Sequence, residues 1–131
     1  KDRLDPEASI MGGANYLKII EKKIPARIPM PDRLWMTLAG YNVGFGHLED
    51  ARVLTQRNGG NPDKWSHIRK NLPELSKPKV HKTLKHGYAR GNEPVNYVDN
   101  IKNYFDLLVW YDQLQKSRNK PFRFNPMPNT L

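Results

Sequence analysis

Apolar residues recur at three- and four-residue spacing along most of the chain, and no run alternates for more than a few residues; this pattern predicts helices and no strand. In "DPEASIMGGANYLKIIEKKIP", Ile10, Gly13, Ala14, Leu17, Ile20 and Ile24 share one face. Asp5 suits the N-cap, Pro6 the first helical position and Glu7 the positive end of the dipole, and Pro25 stops the helix. Gly12 and Gly13 cost helix propensity, so another segment or a ligand is expected to pass close to them. A second helix is predicted over roughly Asp32 to Asn42. There Leu34, Trp35, Met36, Leu38, Ala39 and Tyr41 cover most of the circumference, as in a buried central helix. "GHLEDARVLTQRNGG" reads as a third, with Leu48, Ala51 and Leu54 inward and Asn58-Gly59-Gly60 as its stop. "NPDKWSHIRKNLPEL" reads as a fourth, capped by Asn61, begun by Pro62, packed through Trp65, Ile68 and Leu72 and broken at Pro73. Residues 77–94 read as irregular. The last and longest helix runs from about Pro94 to Ser117, with Val98, Ile101, Phe105, Leu108 and Val109 as its core stripe. Tyr97, Tyr104 and Tyr111 recur every seven residues, nearly along one side. Trp35, Trp65 and Phe105 are expected to be core residues. The class is all-α: one domain over residues 1–118, then a Pro-rich tail, 119–131, that drapes over the body or is disordered.

Composition fits a single modest domain: 131 residues, 37% hydrophobic, with eleven prolines and nine glycines that keep the elements short. No stretch approaches the ~18 apolar residues of a membrane span. The chain opens on the polar "KDRLDPEAS" without a signal peptide, so an excised or processed piece is expected. The lack of cysteine excludes disulfides and thiolate metal sites. Lysine and arginine exceed the acids 22 to 13, giving +9. This charge suits an anionic partner such as nucleic acid, acidic lipid or cell-wall polymer, and equally a solvated basic surface. Only "KPKVHKTLKH", Lys77 to His86, concentrates it.

Most site chemistries find no support. His47, His67, His81 and His86 lack ligand spacing and read as surface residues, so no metal is expected. There is no phosphate-binding glycine loop and no G-x-S-x-G, and no cofactor is expected. Among the acids, Glu7, Glu21 and Glu74 look like capping or surface residues. Glu49 and Glu93 lie nearer glycine-rich segments; the first reads as functional or as an exposed helix position, the second as functional or as a helix start. Tyr41, Asn42, Phe45, Tyr88, Tyr97 and Trp110 form a more suggestive set. Ring faces pack on sugar C–H surfaces and amides take up hydroxyls, although the same rings could stack bases or fill a core.

Two motifs narrow this. Ala39-Gly40-Tyr41-Asn42-Val43-Gly44 fits A-[AG]-Y-N-x-G, and Glu93 to Val98 fits E-x-x-x-Y-V. With the D-A-R-x-L, N-P-D-x-W and Y-A-R-G stretches between them, residues 3–112 resemble the lytic transglycosylases of the soluble-lytic-transglycosylase type. The resemblance implies a lysozyme-like helical domain acting on peptidoglycan. Such enzymes cleave the β-1,4 bond from N-acetylmuramic acid to N-acetylglucosamine through one glutamate, which acts as acid and then as base while the muramyl C6 hydroxyl closes a 1,6-anhydro ring. It further implies that Tyr97 orients the catalytic carboxyl, that Tyr41 and Asn42 line the cleft floor and that Glu93 supports the site. Gly44 is expected to turn the backbone beside substrate, and Tyr88 to present a ring to it.

The family's E-S-x-[WF]-x-P motif, which carries the glutamate, is absent from these 131 residues, as is its G-[LM]-M-Q-[LI] segment. No other acid matches, so no catalytic residue is expected here, only the supporting Tyr97; the N-terminal portion of the domain is expected to be missing. Gly40 and Pro94-Val95 are milder departures. The expected partners are peptidoglycan strands and an N-terminal piece of the same enzyme, in the periplasm at the bacterial outer membrane or wall, with no nucleic acid. The rival is a non-catalytic basic helical module that binds cell-wall polymer or nucleic acid.

Overall fold

A computed structural model describes the backbone of residues 6–118 and the side chains of residues 11–118. Within them lie α1 (Pro6–Lys23), α2 (Asp32–Val43), α3 (Phe45–Arg57), α4 (Trp65–Asn71), a 3-10 turn (Leu72–Ser76), α5 (Pro78–His81) and α6 (Asn92–Arg118). There is no strand among the described residues, as the periodicity predicts. The expected Asp5 cap and the 119–131 tail lie outside the described residues. The chain divides into two compact units, residues 1–97 and 98–131.

In the first unit α2 is the hub. It packs against α1, α3 and α4, and α3 packs on α4 and the 3-10 turn. Ile20, Ile28, Met36, Leu48, Ile68, Leu72 and Leu75 are fully buried. Five consecutive residues of α2, Met36 to Gly40, are buried because neighbours cover several sides at once. The cover ends at both tips: Leu34 and Tyr41 are exposed and Trp35 is only half-buried, so α2 is central over its middle and not throughout.

Polar anchors that periodicity cannot show hold the corners. The Arg33 guanidinium donates to the carbonyls of Glu21 (2.9 Å), Ile24 (3.2 Å), Pro25 (2.9 Å) and Ile28 (3.3 Å), and to the Glu21 carboxylate. It thereby gathers carbonyls from the C-terminal end of α1 and the turn that follows it, where a cation is also favoured by the helix dipole. Asp63 accepts from Arg27 Nε at 2.6 Å and from Arg52 at 2.7 Å, while Arg52 Nε reaches the Pro62 carbonyl at 2.8 Å. The Arg27 hydrogen bond is the main reason the Asp63 carboxyl titrates below its ordinary value. Asn61, expected to cap a helix, instead accepts from the Asp63 N–H at 2.9 Å and closes a turn; α4 begins later, at Trp65.

Residues 77–94 are more ordered than predicted. After α5, Thr83 N–H donates to Val80 and Leu84 N–H to His81, so the chain continues in tight turns. The segment is then tied down. Ala89 N–H donates to the Leu75 carbonyl at 3.3 Å, and the His86 N–H donates to the buried Asp50 carboxylate at 2.8 Å. Gly91 lies so close to the Leu72 backbone that a Cβ there would fall 1.6 Å from its carbonyl oxygen.

The second unit contains the remainder of α6. Val98 is fully buried, but the predicted stripe beyond it is not a core. Phe105 is 59% exposed, and Leu108 and Val109 are exposed as well. The helix forms where periodicity predicts, yet its apolar positions from 104 onward remain accessible to solvent among the described residues. Periodicity reports helical phase; burial needs a second surface.

Candidate active site

The site grows from the α2–α3 junction. Gly44 ends one helix and begins the next: its N–H donates to the Gly40 carbonyl at 2.9 Å, and its own carbonyl accepts from Leu48 at 3.1 Å. Its φ of 103° is strained for any residue with a Cβ. Gly46 has a different reason to be small. It is helical, and a Cβ there would meet the His86 ring at 2.7 Å.

This junction brings the two motifs together. Asn42, Val43 and His47 from the junction, with Tyr88, Ala89, Arg90 and Glu93 from the α6 approach, line an open cleft of about 280 Å³. Arg90 pairs with Glu93 at 3.7 Å, and its guanidinium is raised above its ordinary value, chiefly by a hydrogen bond to Tyr88. The exposed Tyr88 ring stands edge-on to His81, centroids 5.7 Å apart.

Tyr41 and Tyr97 lie near enough to interact electrostatically. Tyr41 tilts against Tyr16, centroids 5.7 Å apart, and its hydroxyl lies 3.3 Å from where a Gly13 Cβ would stand. A Cβ at Gly13 would crowd that hydroxyl, as its sequence position suggests, whereas one at Gly12 would meet nothing within 4 Å among the described residues, contrary to the close approach expected there. Partial burial raises the Tyr97 hydroxyl above the ordinary tyrosine value, and Tyr41 adds to the shift. At neutral pH Tyr97 therefore keeps its proton and is an available donor.

Of the residues expected in the site, Asn42, Tyr88 and Glu93 share the cleft, Tyr41 acts electrostatically on Tyr97, and Gly44 forms the joint. Glu49 lies elsewhere, in a groove with Arg27, Arg52 and Pro62. Phe45 lies under Lys23, Nζ 5.5 Å from the ring centroid. Trp110 belongs to the second unit. His47 was expected at the surface. Instead it lines the cleft, and its Nδ1 is buried without a hydrogen-bond partner among the described residues. Its ring meets that of His86 edge-on at 6.3 Å. The signal for it is its place in the first turn of α3, just past Gly44. Glu93 is the one acid lining this cleft, and no cluster of three or more metal-ligating side chains occurs among the described residues.

A helical body whose Y-N-x-G turn meets an E-x-x-x-Y-V helix start defines a class. Residues 1–64 match the Transglycosylase SLT domain, and the chain is similar over most of its length to lytic transglycosylases. Among its relatives, membrane-bound lytic murein transglycosylase F of Alteromonas mediterranea is 53% identical over 115 residues, 88% of this chain and 25% of that protein. The proteins of the same name from Pseudoalteromonas translucida and Saccharophagus degradans are 50% and 54% identical, over 92% and 84% of this chain and 26% and 22% of their own lengths. The chain thus spans about a quarter of the relatives it matches.

Proposed function

We propose that this chain supplies one wall of the glycan cleft of a peptidoglycan lytic transglycosylase, an enzyme of the cell envelope acting at the periplasmic face of the outer membrane. The observation that carries this reading is the meeting of the two motifs, with Asn42 and Val43 of the first and Glu93 of the second lining one cleft. An amide, exposed rings and an Arg–Glu pair in an open groove suit a saccharide chain. The reaction is cleavage of the bond from N-acetylmuramic acid to N-acetylglucosamine with closure of a 1,6-anhydro ring. Its general acid is a glutamate outside these 131 residues, whose sequence holds no E-S-x-[WF]-x-P motif. Tyr97, still protonated at neutral pH, is suited to donate a hydrogen bond to that carboxylate and hold it in place. Met11, Tyr16 and Ile19 of α1, together with the exposed positions of α6, offer apolar surface that a further segment of the enzyme would cover.

Incubation with purified peptidoglycan tests this reading. The chain alone should bind glycan strands and release no 1,6-anhydro muropeptides; robust release would overturn the assignment of the acid to another segment. In the complete enzyme, Tyr97→Phe should lower turnover about tenfold, the worth of one lost hydrogen bond, with little change in melting. Unchanged turnover would remove Tyr97 from the role.

A further inference from the structure

One ring in the cleft has a role that the proposed reaction does not assign. His47 stands in the first turn of α3, and its Nδ1 is the one buried side-chain nitrogen or oxygen without a hydrogen-bond partner among the described residues. A neutral imidazole carries a single proton, on one nitrogen or the other. On Nδ1 that proton would make a buried donor with no acceptor, whereas on Nε2 it can act in the cleft that the ring lines. The neutral ring is therefore a donor through Nε2.

The ring is also held in place. Its Cδ2 lies 3.7 Å from where a Gly44 Cβ would stand, and it meets the His86 ring edge-on, centroids 6.3 Å apart. His86 is itself seated against Gly46, and its N–H donates to the buried Asp50 carboxylate at 2.8 Å. A donor on a fixed ring loses little entropy when a ligand arrives.

The other polar groups of the cleft suit other partners. Arg90 is engaged by Tyr88 and Glu93. Asn42 is exposed, and its amide both donates and accepts, as a sugar hydroxyl does. An Nε2–H group only donates, and the strongest neutral acceptor on an N-acetylated sugar is its acetamido carbonyl. We infer that His47 determines specificity in the cleft by donating from Nε2 to the acetamido carbonyl of a bound N-acetylated sugar. This inference rests on the glycan-cleft reading and names the sugar group that is read at this position.

The test is calorimetric binding of the 131-residue chain to the β-1,4 tetramer of N-acetylglucosamine and to cellotetraose, which has hydroxyl in place of acetamido. Asparagine would put an amide N–H where Nδ1 stands, and glutamine would put one where Nε2 stands. His47→Asn should weaken binding of the acetamido tetramer about tenfold and of cellotetraose less than about twofold. His47→Gln should recover most of that loss. No loss in His47→Asn, equal losses in the two variants, or equal losses for the two sugars would reduce His47 to a packing role and leave the cleft standing. Nitrogen NMR of the labelled, unsubstituted chain gives a readout independent of how well a variant folds. It should find the proton on Nε2, and that nitrogen should shift when the acetamido tetramer is added. A proton on Nδ1, or an unmoved Nε2 in a chain that binds the sugar, would overturn the inference. Binding of neither sugar by the unsubstituted chain would overturn the cleft reading and the inference with it.

Discussion

Two stretches of similar apolar character end in opposite environments. "LWMTLAGY" in α2 and "YFDLLVWY" in α6 both read as helix with abundant large side chains. In the first, Met36 and Ala39 are fully buried beneath three neighbouring helices; in the second, Tyr104, Phe105, Leu107, Leu108 and Tyr111 are exposed. The difference lies in what surrounds each helix. Apolar surface stabilises a fold only when it leaves water, at roughly 25 cal/mol per Å².

Substitutions in the packed unit should therefore cost far more than equal changes on α6. The largest effect is expected from Gly91→Ala. The new methyl collides with backbone at Leu72, which cannot give way as a side-chain tip can, so stability should drop by about 3 kcal/mol or more by denaturant unfolding. A mild effect would show that the 77–91 segment is not pinned. Trp65→Ala should cost ~3–5 kcal/mol because the ring is buried, and Trp35→Ala only ~1–3 because Trp35 is partly exposed. Equal losses would show Trp35 to be as fully packed as Trp65.

Asp63→Asn tests the polar anchors and carries a pH signature. The native carboxyl titrates below its ordinary value, so folding favours its ionised form. That stabilisation is present above the unfolded value of ~3.9 and is lost as pH falls through the lower native one. The variant should be about 1 kcal/mol less stable at pH 7 and no different near pH 2. A pH-independent deficit would mean that the side chain matters for shape and not for charge. The smallest effect is expected at Phe105→Ala, within about 0.5 kcal/mol, since the ring is already in water. A loss above about 1 kcal/mol would show the α6 face to be covered in solution.

The helices were legible because phase and punctuation agree: Pro25 ends one stretch, Asn58-Gly59 another, and Leu48, Ala51 and Leu54 point one way. Much of the site was legible because Tyr41-Asn42 and Glu93 to Tyr97 are local motifs. What escaped depends on distant partners. Arg33 looks like any surface arginine until the open end of α1 is placed beside it. His47 looks solvated until the α6 approach is brought up beside the α2–α3 junction. Phe105 carries a core residue's spacing, and spacing does not say whether another surface arrives.

Gly44 has one more implication. With one residue as the whole connection, there is no slack between the two helices it joins. Inserting or deleting a residue anywhere from Met36 to Leu48 would rotate what lies beyond it by about 100°, carrying Asn42 or His47 to another side of its helix. The cleft wall is thus set by phase, as gear teeth are set by their count. Exposed side chains here can be exchanged while the wall is kept, but a change in the length of the chain moves the wall itself.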